Sequence, residues 1–182
     1  MNGASDADLL ARSRQGDRAA FDELMRRHED RVFAVCLRIM RRREEALDAT
    51  QDTFLTVFRK ADQFRGDSKF STWLYRVAVN TCYDNLRRAQ RRPADPLAEA
   101  HDPADESAGD TLASVELRPG LTEALHHLAD EFRSAIVLVD VEGLSVQETA
   151  DVLQVPEGTV KSRLYRGRRQ LAEILGNREQ WA

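Results

Sequence analysis

Residues 93–120, with the sequence PADPLAEAHDPADESAGDTLASVELRPG, divide this 182-residue chain into two parts. The segment contains four of the five prolines, no aromatic residue, and seven acidic residues against one basic residue. Such a composition cannot bury enough apolar surface to offset the entropy that is lost when its backbone is ordered. We therefore predict a flexible acidic linker between two small domains, at residues 1–92 and 121–182.

Both flanking blocks predict helices, because Gly and Pro are sparse and apolar residues return every three or four positions. In the first block, the pattern predicts helices at about 44–64 and 71–92. In the second block, it predicts shorter helices at about 121–129, 131–141, 145–153 and 159–175. No segment has the alternation of a strand. The predicted fold class is all-α.

The last predicted helix concentrates positive charge on a chain whose formal net charge is -4. No acid interrupts its five cations, which are Lys161, Arg163, Arg166, Arg168 and Arg169. At 100° per residue, its apolar positions form one stripe that must face a core. These positions are Val160, Leu164, Gly167 and Leu171. Opposite this stripe lie Ser162, Tyr165, Arg166 and Arg169, flanked by Lys161 and Arg168.

A shorter predicted helix and a tight turn precede this cationic helix. Ser145 is a favoured N-cap residue for the shorter helix, and Pro156 marks the turn. Two short helices joined in this way, with basic and hydroxyl side chains outward on the second, are typical of a helix-turn-helix. Lys and Arg on such a helix neutralise phosphates, while Ser162, Tyr165 and Arg166 are placed to contact base edges. We predict a DNA-binding second domain.

A second cationic face lies on the helix predicted at 71–92. One stripe carries residues at steps of four, three and four, namely Arg76, Asn80, Tyr83 and Arg87. Further cations follow at Arg88, Arg91 and Arg92, and aromatic residues precede or begin the helix at Phe64, Phe70, Trp73 and Tyr75. Cations with aromatic rings nearby suit single-stranded nucleic acid, whose bases stack on the rings. The same rings equally suit a hydrophobic core, and the pattern alone leaves both interpretations open.

The helix predicted at 44–64 has an outward acidic face. Asp48, Gln51 and Asp52 lie there beside an apolar residue, Leu55. An apolar side chain among acids indicates a protein partner with a basic docking surface, although a lone exposed leucine is ordinary.

The sequence offers little support for catalysis. The adjacent His126 and His127 cannot share a helix face, and no His or Cys stands at metal-ligand spacing. No phosphate-binding glycine loop and no hydrolase motif occurs. We predict a protein that is not an enzyme and that holds no metal or cofactor.

The cysteines and the chain's hydropathy indicate a cytoplasmic location. Cys36 and Cys82 form no CxxC pattern, and we expect both to be small buried hydrophobic residues. The amino terminus lacks the features of a secretory signal, and no apolar run is long enough to span a membrane.

In this order, the segments resemble a bacterial RNA polymerase sigma factor of the extracytoplasmic-function (ECF) group. GDRAAFDELMRRHEDRVF is similar to the opening helix of the group, and ALDATQDTFLTVFRKADQFRG to its polymerase-docking segment. FRGDSKFSTWLYRVAVNTCYDNLRR resembles the segment that melts and reads the -10 promoter element. GLSVQETADVLQVPEGTVKSRLYRGRRQL resembles the segment that reads the -35 element. At Leu47, where the group often has an acid, the chain departs from the pattern.

The resemblance implies a role for each face. Docking on the clamp helices of the polymerase β′ subunit would use Asp48, Gln51, Asp52 and Leu55. Contacts with a largely single-stranded -10 element, including a base held by the loop 65–69, would use Arg65, Lys69, Arg76, Asn80, Tyr83, Arg87 and Arg88. Contacts with duplex DNA at the -35 element would use Lys161, Ser162, Tyr165, Arg166 and Arg169.

The resemblance also implies further partners. The second domain would meet the β flap of core RNA polymerase, the linker would thread the polymerase channel, and an anti-sigma factor would hold the chain inactive. Two other classes of function remain open. A stand-alone helix-turn-helix repressor or activator would bind its operator as a dimer, and a helical adaptor would bind polymerase without reading DNA.

Overall fold

The computed structural model describes residues 4–91 and 119–179, and these residues form eight α-helices and no strand. The all-α prediction is confirmed. The helices are α1 (Asp6–Arg14), α2 (Arg18–Ile39), α3 (Arg43–Arg59), α4 (Phe70–Arg91), α5 (Pro119–His126), α6 (Asp130–Ile136), α7 (Val146–Leu153) and α8 (Glu157–Glu179). Arg92 and residues 93–118 of the predicted linker lie outside the described residues.

Helix α3 is shorter than its hydrophobic pattern predicts. It ends at Arg59, and a single 3₁₀ turn (Ala61–Gln63) replaces the last predicted turn. From α1, the Arg14 guanidinium donates hydrogen bonds to the carbonyl oxygens of Ala61, at 3.0 Å from Nε, and of Phe64, at 2.8 Å. Both carbonyls belong to the turn beyond the helix end, where the Ala61 carbonyl oxygen also accepts a hydrogen bond from the Phe64 N–H at 3.2 Å. A side chain that is distant in the sequence thus holds the turn that follows α3.

The first four helices form an amino-terminal unit with α2, α3 and α4 around a common core. The predicted apolar stripe of α4 is buried, with Leu74 and Ala78 at its centre. Phe64, Phe70 and Trp73 contact one another with ring centroids 5.5 to 5.9 Å apart. Phe70 and Trp73 are each only 6% exposed, so they stabilise the core and are not free to stack on bases.

The two cysteines belong to this same core. Cys36 on α2 and Cys82 on α4 are fully buried free thiols. They fill space as small hydrophobic residues, as the sequence predicts.

Helices α5 to α8 form a carboxyl-terminal unit, in which five residues of π helix (Val137–Val141) continue α6. Leu125, Leu138 and Val160 come from different segments of this unit and are almost completely buried. Gly167 lets α8 approach α6, because a Cβ atom there would lie 2.8 Å from Ile136 Cδ1. The buried side of α8 is therefore the side that packs closely against α6.

The carboxyl-terminal unit packs against α2 through a buried arginine. Arg133 on α6 is completely buried, and Nη1 donates a hydrogen bond to the Ile39 carbonyl oxygen of α2 at 2.8 Å. Nη2 donates to the Leu128 carbonyl oxygen at 3.3 Å and pairs with Asp130. A buried cation is tolerated only with such partners. Burial lowers the pKa of Arg133, while Asp130 opposes that change.

A buried carboxylate makes a second contact between the units. Glu142 follows the π-helical segment and accepts hydrogen bonds from Arg38 Nη1 at 3.2 Å and from the Tyr75 hydroxyl at 3.1 Å. The Arg38 and Glu142 side chains are only 10% and 11% exposed. Burial, the charge of Glu142 and this hydrogen bond raise the pKa of Tyr75, so its hydroxyl remains a donor.

Candidate nucleic-acid and protein interfaces

The predicted helix-turn-helix consists of α7, a short turn and α8. The hydroxyl of Ser145 accepts a hydrogen bond from the Glu148 backbone N–H at 3.1 Å, and the Glu148 carboxylate accepts one from the Ser145 N–H at 3.0 Å. This capping box fixes the start of α7. The helix ends at Gln154, which has a left-handed φ of 55°, and Pro156 precedes α8. The cap of α7 and the turn together fix which face of α8 is exposed.

The outward face of α8 is open to solvent. All five residues predicted to contact the -35 duplex are exposed, namely Lys161, Ser162, Tyr165, Arg166 and Arg169. Tyr165 is 71% exposed, which is unusual for a large aromatic side chain. On the opposite side, Val160, Leu164 and Gly167 are buried, as the helical spacing predicts. The face therefore presents three cations, one hydroxyl and one phenol ring along about two turns of helix.

Several α8 cations pair with acids of the same unit. Arg168 donates to the Asp140 carboxylate at 2.6 Å, and Arg163 lies 3.6 Å from Glu131. Lys161 and Arg169 have exposed pairs within α8, at 3.7 and 3.2 Å. Exposed pairs of this kind are worth little and exchange readily for a phosphate. Arg166, the central cation of the predicted contact set, forms no ion pair with any acid in residues 4–91 and 119–179.

The second predicted DNA-reading face, on α4, is only partly open. Asn80, Arg87 and Arg88 are exposed, whereas Arg76 and Tyr83 are half-buried. Arg87 lies 3.5 Å from Asp84 in an exposed pair. The predicted stripe therefore lies on one side of the helix, but its members do not share the same environment.

Two members of this predicted set face the carboxyl-terminal unit. The Tyr83 hydroxyl is buried, and it has no hydrogen-bond partner among the residues that the structure describes. Burial raises the pKa of Tyr83, and Ser134 and Arg163 are near enough to oppose the shift. Lys69 Nζ donates a hydrogen bond to Glu148 Oε1 of α7 at 2.9 Å. Local sequence gives no signal for these contacts, because their partners are distant in the chain.

The loop before α4 lies beside a hollow that the sequence analysis missed. The hollow has a volume of about 170 Å³ and is lined by Ala7, Leu10, Arg14, Phe64, Arg65 and Gly66. Gly66 has a φ of 80°, a left-handed conformation that glycine adopts without strain. Arg65 and Lys69 are exposed on this loop. Helix α1 supplies part of the wall, which no motif indicated.

The exposed face of α3 is more apolar than predicted. Asp48, Gln51, Asp52 and Leu55 are all exposed, as the spacing predicts. Leu47 and Phe58 lie on the same side and are 44% and 56% exposed, while Leu55 is 51% exposed. The Phe58 ring contacts Phe21 of α2 edge-on, with centroids 5.1 Å apart. The signal was available, because Leu47, Leu55 and Phe58 recur at helical spacing.

Other classes of site have no support in the described part of the chain. Within residues 4–91 and 119–179, no group of three or more His, Cys, Asp or Glu could hold a metal ion. The helices in these ranges include none that is long and apolar enough to cross a membrane.

Comparisons with known proteins match both units to the same family of proteins. Residues 24–92 match the Sigma-70 region 2 family, and residues 120–171 match the Sigma-70 region 4 family. The chain is 45% identical over 172 residues to the ECF RNA polymerase sigma factor SigM of Mycobacterium tuberculosis, covering 94% of this chain and 85% of SigM. The chain belongs to the ECF group of RNA polymerase sigma factors. It is also 34% identical to the RNA polymerase sigma-H factor of Pseudomonas aeruginosa, with 93% of both chains covered.

Solved structures support the same assignment. CnrH, in complex with the cytosolic domain of CnrY, has a TM-score of 0.70 and is 26% identical, with 96% of this chain and 99% of that chain covered. RpoE, in complex with the anti-sigma factor NepR from Bartonella quintana, has a TM-score of 0.67 at 26% identity, covering 86% and 96%. This ECF sigma factor therefore directs promoter-specific transcription initiation by RNA polymerase, and the comparisons favour that function over a stand-alone repressor or activator. Sigma factors are initiation factors and not enzymes.

Proposed function

We propose that this ECF sigma factor docks on core RNA polymerase through α3 and reads its promoter with two separate helices, α4 at the -10 element and α8 at the -35 element. The observation that carries the proposal is that each of the three helices presents exposed side chains suited to a different partner. The sigma factor performs no bond chemistry. It lends sequence specificity to an enzyme that would otherwise bind DNA mainly through phosphates.

The α8 face suits a duplex major groove. Lys161 and Arg169 lie at the two ends of the face along the helix axis and neutralise phosphates, which positions the helix on the DNA. Ser162, Tyr165 and Arg166 lie between them and contact base edges at the -35 element. The remainder of the carboxyl-terminal unit meets the β flap, as the resemblance to ECF sigma factors implies.

The α4 face and the loop before it suit a strand that has left the duplex. Asn80 is exposed between cations that track the backbone, chiefly Arg76, Arg87 and Arg88. Arg65 lines the hollow beside α1, where an extruded base of the -10 element is held, and Lys69 is exposed on the same loop. Extruding a base costs a few kcal/mol, which is recovered through contacts of this kind.

The α3 face suits a basic protein surface with apolar ridges. Asp48 and Asp52 supply negative charge, Gln51 supplies hydrogen bonds, and Leu55 supplies apolar area. Leu47 and Phe58 extend the apolar area on the same side. Aromatic and aliphatic anchors surrounded by polar groups are the usual composition of a strong interface. The proposed partner is the pair of clamp helices of the β′ subunit.

An anti-sigma factor is the proposed regulator. RpoE from Bartonella quintana was solved in complex with the anti-sigma factor NepR and shares its fold with this chain. A partner that covers the α3 face or the α8 face would prevent polymerase docking or promoter reading. Because each face is exposed, either is accessible to such a partner.

Run-off transcription on a pool of genomic promoter fragments tests the proposal. Core RNA polymerase alone should give no discrete transcript, and discrete transcripts should appear when the sigma factor is added. Asp52→Arg should reduce their yield at least about tenfold, because like charges across an interface cost several kcal/mol. Arg166→Glu should reduce yield about tenfold or more at promoters with a -35 element, because one base contact is worth about 1–3 kcal/mol.

Two matched charge reversals serve as controls. Asp30→Arg and Arg18→Glu change exposed residues of α2 by the same charge, and both should leave transcription unchanged. If Asp52→Arg behaves like Asp30→Arg, α3 is not the docking face. If no transcript appears and the protein alone binds duplex tightly, the proposed division between polymerase docking and promoter reading is wrong.

A further inference from the structure

We propose that the free sigma factor is held in a closed state, in which the carboxyl-terminal unit covers part of α4, and that Glu142 is the residue that locks it. The inhibitory role of the closed state rests on the proposed function, in which α4 reads the -10 element. The closed state itself rests only on contacts between the two units.

Glu142 connects the carboxyl-terminal unit to two different helices of the amino-terminal unit. Its Oε1 accepts from Arg38 of α2 and its Oε2 accepts from Tyr75 of α4, at 3.2 and 3.1 Å. Both carboxylate oxygens are therefore used across the boundary between the units. Charge-assisted hydrogen bonds to a nearly buried carboxylate are strong and geometrically specific. A single side chain thus fixes the relative orientation of α2, α4 and the segment after α6.

Three further bonds cross the same boundary. Arg133 donates to the Ile39 carbonyl oxygen at 2.8 Å, and His126 Nε2 lies 3.3 Å from the Leu37 carbonyl oxygen. Lys69 donates to Glu148 at 2.9 Å. The contacts extend along α2 and α4, so the units are joined over a surface and not at a point. Water can hydrogen-bond to the same donors and acceptors when the units separate.

Closure hides part of the proposed -10 face. The Tyr83 hydroxyl is buried toward the carboxyl-terminal unit, and Lys69 is engaged with Glu148. The buried Tyr83 hydroxyl cannot contact a DNA strand in this state, whereas the Lys69 side chain is 76% exposed and can exchange Glu148 for a phosphate. The α8 face remains exposed at the same time. Promoter reading by both helices therefore requires the units to separate, and the population of the closed state lowers the apparent affinity of the free chain for its targets.

Glu142 is suited to be a lock because it has no place in either DNA-reading face. It belongs to the segment between α6 and α7, and its carboxylate accepts hydrogen bonds from Arg38 and Tyr75, neither of which is a proposed DNA contact. Its contribution is confined to the closed state. Removing its charge should favour opening without removing any proposed contact with polymerase or DNA.

Energy transfer between dyes on the two units tests the lock in the free protein. Dyes are attached at Glu29→Cys on α2 and Ala172→Cys on α8, both exposed positions, and the buried Cys36 and Cys82 remain unlabelled in the folded chain. The closed state predicts efficient transfer in the otherwise unchanged protein. Glu142→Gln should raise the ratio of open to closed molecules at least tenfold and lower the transfer.

Glu131→Gln is the matched control. Glu131 pairs with Arg163 at 3.6 Å inside the carboxyl-terminal unit, so its loss removes one charge and one ion pair without touching the other unit. It should leave the transfer unchanged. If Glu142→Gln unfolds the chain, Tyr75→Phe breaks the same contact from the other side and should lower the transfer in a folded protein. Inefficient transfer in the unchanged protein, or no difference between Glu142→Gln and Glu131→Gln, would overturn the proposal.

A second measurement separates the lock from the proposed function. The transfer experiment contains neither polymerase nor DNA, so its result stands whether or not the promoter assignments are correct. In run-off transcription with limiting sigma factor, Glu142→Gln should reach half of the maximal yield at a several-fold lower concentration, with the same maximum. Unchanged half-saturation together with lowered transfer would show that closure occurs but does not inhibit, which contradicts the inhibitory role.

Discussion

Helices α4 and α8 are both proposed to read promoter DNA, but they differ in how much of each is already covered. The contact face of α8 is exposed at every predicted position, from Lys161 to Arg169. The corresponding face of α4 is open at Asn80 but buried at the Tyr83 hydroxyl. In the free chain, one reader is therefore accessible and the other is partly occupied by its own partner unit.

The difference follows from what packs on each helix. Helix α8 buries only its inner side, where Gly167 meets α6, so its outer side stays in solvent. Helix α4 packs on the amino-terminal core with one side and contacts α7 with another. A helix with two covered sides has less free surface. The two DNA-reading helices are therefore not equivalent before polymerase binds.

The largest expected effect is at the buried cation of the interface. Arg133→Ala should lower the free energy of unfolding by about 3 kcal/mol or more, because it leaves buried carbonyl oxygens without a donor and opens a cavity. Arg169→Ala removes an exposed arginine paired with Glu173 and should change stability by less than about 0.5 kcal/mol. Urea unfolding followed by circular dichroism measures both. Equal effects would mean that Arg133 is not buried in solution.

A smaller effect is expected on the inner side of α8. Gly167→Ala would place a Cβ atom 2.8 Å from Ile136 Cδ1 and 3.1 Å from Phe132 Cβ, whereas nothing lies within 4 Å of the corresponding position at Gly176. Alanine favours a helix by up to about 1 kcal/mol over glycine, so Gly176→Ala should stabilise. Overpacking should outweigh that gain at Gly167, leaving it about 2 kcal/mol less stable than Gly176→Ala. Thermal unfolding of the two variants tests the order, and equal stability would show that α8 does not approach α6 this closely.

The sequence could predict α8 well because its faces are a local property. Period and residue type alone placed Ser162, Tyr165 and Arg166 outward and Val160 and Leu164 inward, and the structure agrees. The capping box at Ser145 has the same local character, since it depends on residues three positions apart. The faces and caps of a single helix can therefore be predicted from its own sequence.

Features that depend on two distant segments were not predictable in the same way. The environment of Tyr83 is set by Ser134 and Arg163, which are far away in the chain. The turn that follows the early end of α3 is held by Arg14 on α1. Helical periodicity carries no information about either contact. The predicted -10 stripe therefore did not show that Tyr83 is partly buried. The predicted helix likewise ran on to residue 64. The linker boundaries remain predictions, with α5 beginning at Pro119.

Tyr75 should connect the closed state to alkaline pH. Tyr75→Phe should lower the free energy of unfolding by about 1.5 kcal/mol at neutral pH, because it removes a hydrogen bond to a carboxylate. The pKa of Tyr75 is raised in the folded chain, so this contribution is complete below the ordinary tyrosine pKa of 10.0 and is lost as the pH rises beyond it. The difference between the two proteins should therefore shrink above about pH 10. Tyr165→Phe, at an exposed position, is the control and should change stability by less than about 0.5 kcal/mol at any of these pH values.

The smallest predicted effect has the opposite sign and concerns Tyr83. Because its buried hydroxyl lacks a partner, Tyr83→Phe should raise the free energy of unfolding by about 1 kcal/mol, as measured by urea unfolding. A decrease of similar size would show that the hydroxyl is hydrogen-bonded. The unpaired hydroxyl penalises the closed state only, because water satisfies it once the units separate. Tyr83→Phe should therefore also increase energy transfer between the two units, in the direction opposite to Glu142→Gln, and α4 would then carry both the contact that closes the molecule and the group that favours its opening.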